Sequence, residues 1–248
     1  MPKWPDKAVV FDLDDTIGHF EEIAVFIMGL NLVSAHPGTR DNHFRLFDLF
    51  PKFFRPGIFH ALAIIRNAKR RDPGLRAVIY TNNIGPPSWT FLIKDYLEAK
   101  IGAPVFDSVI TAYRPYTPGN CRSTSRKTLS DLRRCAGLAP ATRILFFDDQ
   151  WHPGMVGPNA TYLKVTPFRC AIPYPVMVDT FLQSGLGDAG LRGQGGLRAA
   201  IGRWRVAMLN FLFKTLGGRY THTKTTVDQV DLREGRGMCD TVSAFVSG

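Results

Sequence analysis

Ala8-Val9-Val10-Phe11-Asp12-Leu13-Asp14-Asp15-Thr16 is the stretch on which the reading of this chain turns: four apolar residues, then two carboxylates one residue apart. A short apolar run that stops at polar residues fits a buried strand of a parallel sheet. In α/β folds the chemistry sits beyond the carboxyl ends of such strands. Alternate strand residues point to opposite faces, but at a frayed strand end Asp12 and Asp14 can converge on one ligand. Two carboxylates that close repel each other unless a proton or a cation lies between them. A hard divalent cation resolves the conflict, and Mg2+ takes one or two carboxylates plus phosphate oxygens. By itself the pentad reads equally well as a strand running into a helix N-cap, since Asp and Thr both cap helices.

Three later segments decide between these readings. Ala77-Val78-Ile79-Tyr80-Thr81-Asn82-Asn83 is an apolar stretch ending in a hydroxyl and two amides. Thr81 can donate to a phosphate oxygen there, although Asn-Asn is also an ordinary turn exit. Lys127, within Ser123-Thr124-Ser125-Arg126-Lys127-Thr128-Leu129, stands at a helix start with several hydroxyl cap candidates and a helical run to Gly137. A cation gains nothing from the dipole at that end, so Lys127 or Arg126 hints at an anion to be held. Ile144-Leu145-Phe146-Phe147-Asp148-Asp149-Gln150 again stops an apolar run at paired carboxylates, which is costly without a cation or strong donors.

In this order, Asp12/Asp14/Thr16, Thr81, Lys127 and Asp148/Asp149 resemble the four motifs of the haloacid dehalogenase (HAD) superfamily of phosphotransferases, over about residues 7 to 166. The resemblance implies a doubly wound parallel five-stranded sheet of Rossmann-like type, a minimal cap and an intracellular Mg2+-dependent phosphatase. Asp12 would be the nucleophile, forming an aspartyl-phosphate, and Asp14 the general acid and base. Thr81, Asn82 and Lys127 would hold phosphoryl oxygens. Mg2+ would lie among Asp12, Asp14 (through its backbone carbonyl), Asp148 and Asp149. An acidic residue at position 14 favours phosphatase over dehalogenase chemistry.

The intervals from Asp12 to Thr81 and from Thr81 to Lys127 hold 68 and 45 residues. Each must also supply a helix and a strand, so neither leaves room for a full independent cap. An open site follows, suited to a macromolecular substrate. Arg55-Pro56-Gly57 and Ile79-Tyr80-Thr81-Asn82 resemble the phosphatases of the RNA polymerase C-terminal domain (the NLI-interacting-factor type). Phe146-Phe147-Asp148-Asp149 is instead similar to magnesium-dependent phosphatases that hydrolyse phosphotyrosine in assays. Asp15, where the former carry Glu, and Gln150 depart from the pattern.

At 248 residues and 45% hydrophobic the chain can bury a sizeable core. Strands are expected near 8–12, 76–81, 105–110, 143–148 and 161–165, with helices over 57–71 and 88–100 and a further one near 20–33 broken by His36-Pro37-Gly38. Phe44, Phe47, Phe50 and Phe53, spaced by three, read as core, with an aromatic flap beside Asp12 as the alternative. The division expected is a phosphatase core over 1–180, a glycine-rich linker over 181–196, and a basic amphipathic helix with a polar tail over 197–248. Leu197, Ile201, Trp204, Met208, Leu212 and Leu216 share one face of that helix. It can lie on an anionic membrane, dock on a partner protein or pack back on the sheet; its four cations rule out a membrane span. Residues 217–248 read as loosely ordered. Nothing at the start resembles a signal peptide. The four cysteines have no metal-ligand spacing and are expected to be free thiols in the cytoplasm or nucleus. His152 lies close enough in sequence to touch the acidic pair. The net charge of +10 favours phosphorylated proteins, nucleic acids or anionic membranes without choosing among them. A phosphoprotein substrate is the first expectation, a nucleic-acid 3′ end the second and a non-catalytic binding scaffold the third.

Overall fold

The computed structural model describes residues 6–33, 39–117, 119–186, 197–217 and 224–248. The expected break at His36-Pro37-Gly38 and the linker glycines from Gly187 to Gly196 lie outside the described residues. Five strands, β1 (Lys7–Phe11), β2 (Leu75–Tyr80), β3 (Ser108–Ile110), β4 (Arg143–Asp148) and β5 (Ala160–Lys164), form one all-parallel sheet in the order β3-β2-β1-β4-β5. Around it run α1 (Glu21–Val33), α2 (Arg40–Leu49), α3 (Ile58–Lys69), α4 (Pro87–Ile101), α5 (Leu129–Ala136), α6 (Tyr174–Gln183), α7 (Leu197–Leu216) and α8 (Gln229–Ser247). The class is α/β, with helices on both sides of a Rossmann-like sheet. Among the described residues no helix is long and apolar enough to cross a membrane.

The chain divides into two compact units. One takes Met1–Gly18, Arg55–Phe168 and Asp228–Gly248, the other His19–Phe54 and Arg169–Val227. In the first, β1 is central, and Ala8, Val9, Val10 and Phe11 are all fully buried. Period-two alternation sends Ala8, Val10, Val78, Tyr80, Ile144 and Phe146 into one core layer with Leu132 and Met155. On the opposite side of the pleat Phe11 stacks on Phe147, with ring centroids 5.2 Å apart. Because both faces are covered, the strands read as continuous apolar runs rather than alternating ones.

Residues 229–247, expected to be loose, form α8, which packs on α3. Asp228 caps it by accepting from the amides of Val230 and Asp231, and Asp231 returns the bond to the Asp228 amide, a capping box. Gly235, Met238, Cys239 and Val242 make its buried stripe. The expectation failed because two glycines and several charges dilute that stripe. The first glycine is the point of contact: a Cβ on Gly235 would lie 2.1 Å from the Pro56 carbonyl oxygen. Gly57, at φ +82, faces the Gly235 carbonyl in return.

The second unit is helical. From Ile23 to Val33 helix α1 carries no charge, and α7 packs along it with Met208 and Phe211 against Gly29. Trp204, Met208, Leu212 and Leu216 are buried, and α7 packs on α1 and α6. Phe47, Phe50 and Phe53 are core residues: Phe50 meets Phe26 edge-on, and Phe47 meets Phe54 likewise. Segment 19–54 packs with 169–227 as one compact unit. The boundaries at 180 and 196 therefore do not separate the compact units.

Two glycines of α8 should respond in opposite ways. Gly235→Ala should lower the melting temperature by several degrees, since a Cβ at backbone contact must displace α8 or the 55–57 loop. Gly237→Ala, with open space around it, should gain about 0.5–1 kcal/mol of helix propensity. Thermal melts of both variants check this, and destabilisation by the second would contradict it.

Candidate active site

Register places the two acidic segments side by side. Phe11 pairs with Phe147 and the Asp12 amide donates to the Phe147 carbonyl at 2.9 Å, so Asp12 and Asp148 leave adjacent strands together. This is the point where strand order reverses, the crevice in which open α/β sheets bind ligands. Asp12, Asp148 and Asp149 are all buried, with ligand-capable oxygens within 4.8 Å of one another. Lys127, 2% exposed, donates to Asp12 Oδ1 and, at 2.6 Å, to Asp148 Oδ2.

One ammonium cannot balance three carboxylates. Burial pushes the Asp12 carboxyl up, Lys127 pulls it back, and Asp148 and Asp14 push it up again. Burial also opposes charge on Asp148, but His152, Lys127 and the Gln150 amide outweigh it and hold this carboxyl below its usual range. The Gln150 amide donates to Asp148 Oδ1 at 2.8 Å, and His152 Nε2 lies 3.3 Å from Oδ2. Burial, Asp15 and Asp148 raise the Asp149 carboxyl to about 6 against the pull of Lys127. Lys127 keeps its proton despite burial because Asp12 and Asp148 face it. Residual negative charge on three converging carboxylates is what a divalent cation site requires.

The Asp14 carboxylate stands outside this trio, where Asn83 Nδ2 donates to its Oδ2 at 2.7 Å. Asp15 takes a left-handed conformation, φ 56, so the chain turns sharply just after the second acid. Thr16 is buried: its hydroxyl donates to Asp149 Oδ1 at 3.4 Å and accepts from the Asp149 amide at 3.0 Å. Arg55 buckles the loop, with Nε donating to the Thr16 carbonyl at 2.6 Å and Nη2 to the carbonyls of Asp15 and Thr166, both at 2.7 Å.

Thr81 is buried just past β2 and its hydroxyl accepts from the Asn83 amide at 3.0 Å. Asn82 is exposed, and its Oδ1 accepts from Arg122 Nη1 at 2.8 Å. Arg122 also donates to the carbonyls of Thr81 and Thr111, both at 3.2 Å, and of Ser125 at 2.9 Å. One buried guanidinium thus ties the loop after β2 to two points of the loop after β3, the one that carries Lys127. The helix after Lys127 starts later than its hydroxyl-rich approach implies. Thr128 is the N-cap, accepting from the Asp131 amide, and Ser123 instead bonds the Asp131 side chain.

Asp12, Asp148, Asp149 and Lys127 come together as the sequence implies. The roles of Asn83, Arg55 and Arg122 do not show in it, because each acts through hydrogen bonds to distant segments that no local pattern encodes. The expectation of four free thiols is corrected: Cys121 and Cys135 form a disulfide, Cα atoms 5.3 Å apart, while Cys170 and Cys239 are buried and outside any disulfide. The two lie 14 positions apart in sequence, and α5 turns Cys135 back toward the loop that carries Cys121. No protein-family model, curated protein or solved structure matches the chain.

The raised Asp149 carboxyl has a signed consequence. The folded state binds this proton more tightly than the unfolded state, so stability falls as pH rises from about 4 to about 6. In EDTA, Asp149→Asn should therefore raise stability above pH 6 by about 1–3 kcal/mol, and the gain should vanish below pH 4. Melts across pH 4–8 decide it; a gain that is constant with pH would contradict the assignment.

Proposed function

We propose that this chain is a Mg2+-dependent phosphomonoesterase of the HAD type that works through an aspartyl-phosphate on Asp12, with a phosphoprotein as substrate. The observation that carries the reading is the buried set of Asp12, Asp148, Asp149 and Lys127 at the switch point, with a separate acid, Asp14, two residues beyond Asp12. Asp12, Asp148 and Asp149 would hold the cation, which when bound offsets phosphoryl charge.

Asp12 attacks phosphorus in line. An oxygen–phosphorus bond forms as the bond to the leaving oxygen breaks. Asp14, oriented by Asn83, gives its proton to that oxygen. It then takes a proton from the water that attacks the aspartyl-phosphate, releasing phosphate and restoring Asp12. Lys127 neutralises charge on the transferred group, and the Thr81 hydroxyl is the neutral donor beside it.

The charge of +10 favours a second reading, an end phosphatase on nucleic acid. Added salt separates the two, since phosphate-tracking contacts lose affinity steeply with ionic strength.

Para-nitrophenyl phosphate assays with Mg2+ or EDTA, beside Asp12→Asn, test the main reading. Turnover should need both Mg2+ and Asp12, falling at least a thousandfold in the variant, while the melting temperature of the wild type rises with Mg2+. Near-normal turnover in Asp12→Asn would remove the nucleophile assignment.

A further inference from the structure

The loop after β4 carries an aromatic residue that the proposed chemistry leaves unused. Trp151, two residues past Asp149, is 56% exposed. Its indole stacks on the Tyr162 ring with centroids 4.9 Å apart and planes 3° from parallel, and Tyr162 leans on core residue Phe146 at 4.9 Å. The Tyr162 hydroxyl donates to the Gln150 carbonyl and accepts from the His152 amide at 3.2 Å. The peptide groups on both sides of Trp151 are thus clamped by the residue its ring rests on. Gln150, whose carbonyl Tyr162 holds, donates its own amide to Asp148 Oδ1 at 2.8 Å, so this stack stands beside the acidic centre. An indole backed on one face by Tyr162, on a backbone held at both peptides and still more than half exposed, is costly to leave facing water, and little entropy remains to be lost when it stacks on a ligand.

Across the crevice, the loop after β2 exposes Ile84. Arg114, from the loop after β3, fastens it by donating to the carbonyls of Ile84 at 3.0 Å and Gly85 at 2.5 Å. In the sheet β1 lies between β2 and β4, so these two loops leave the strands on either side of the one that ends at Asp12.

We propose that Trp151 is a stacking platform that selects phosphomonoesters carrying a planar aromatic group next to the phosphate. The substrate class rests on the phosphomonoesterase reading; the platform is a statement about binding. A phenol ring and a nucleobase share the chemistry, and Trp151 sets specificity for both by ring stacking.

The test measures binding in the full-length Asp12→Asn protein, so that it does not depend on turnover. Phenyl phosphate, thymidine 3′-phosphate and glycerol 3-phosphate are titrated by calorimetry with Mg2+, with and without Trp151→Ala or Trp151→Phe. At least one aromatic ester should bind tighter than glycerol phosphate. The ratio of aromatic to alkyl affinity should fall about tenfold in Trp151→Ala and recover largely in Trp151→Phe. Preference for phenyl phosphate would identify a phenol ester as the source, and preference for the nucleotide a nucleic-acid end. An unchanged ratio in Trp151→Ala, equal affinity for all three esters, or no binding of any would overturn the platform. Selective aromatic binding by a wild-type protein that hydrolyses no phosphomonoester would uphold the platform and refute the phosphatase reading.

Discussion

Everything in the centre depends on the single ammonium of Lys127 lodged between Asp12 and Asp148. Isolated buried carboxylates would take up protons or draw in water. With Lys127 in contact, Asp148 holds its charge, supported by the Gln150 amide and His152. The rest of the surrounding structure supplies and fixes that lysine. Arg122 ties the segment before it to Thr81 and Thr111, the Cys121–Cys135 disulfide joins that segment to α5, and Thr128 caps the helix immediately after it. Removing one partner from a buried charge cluster costs more than the pair itself contributes. The support is accordingly redundant.

A second chain of contacts holds the acidic loop from the opposite direction. α8 packs on α3 and meets the 55–57 loop through Gly235 and Gly57, and Glu234 bonds the Thr166 hydroxyl at 2.9 Å. Arg55 then grips the carbonyls of Asp15, Thr16 and Thr166, and Thr16 bonds Asp149. A helix more than 200 residues away in sequence thereby bears on the geometry of Asp12 and Asp14.

The strands were legible because burial on both faces writes a continuous apolar run ending in polar residues. Asp12, Thr81, Lys127 and Asp148 were legible because each stands at such an ending or at a helix start. Of the stripe Phe44-Phe47-Phe50-Phe53, whose spacing reads as core, the last three are buried and Phe44 is half-buried. What escaped was whatever depends on long-range partners. α8 hides its buried stripe among glycines and charges, Asn83 gives no local sign that it reaches Asp14, and Arg122 looks like any solvated cation until its four acceptors are seen. The pairing of 19–54 with 169–227 could not be read from interval lengths, since neither segment announces the other.

The order in which these segments emerge during synthesis matters as well. The sheet is complete once residue 164 has formed, but the 55–57 loop waits for a helix that follows some sixty residues later, after all of the second unit has been made. On the ribosome the apolar side of α3 that α8 will cover must therefore stay uncovered through that interval. Contacts of such long sequence separation slow folding and prolong the life of aggregation-prone intermediates. The nascent chain is a candidate for holdase protection between the emergence of Lys69 and that of Ser247.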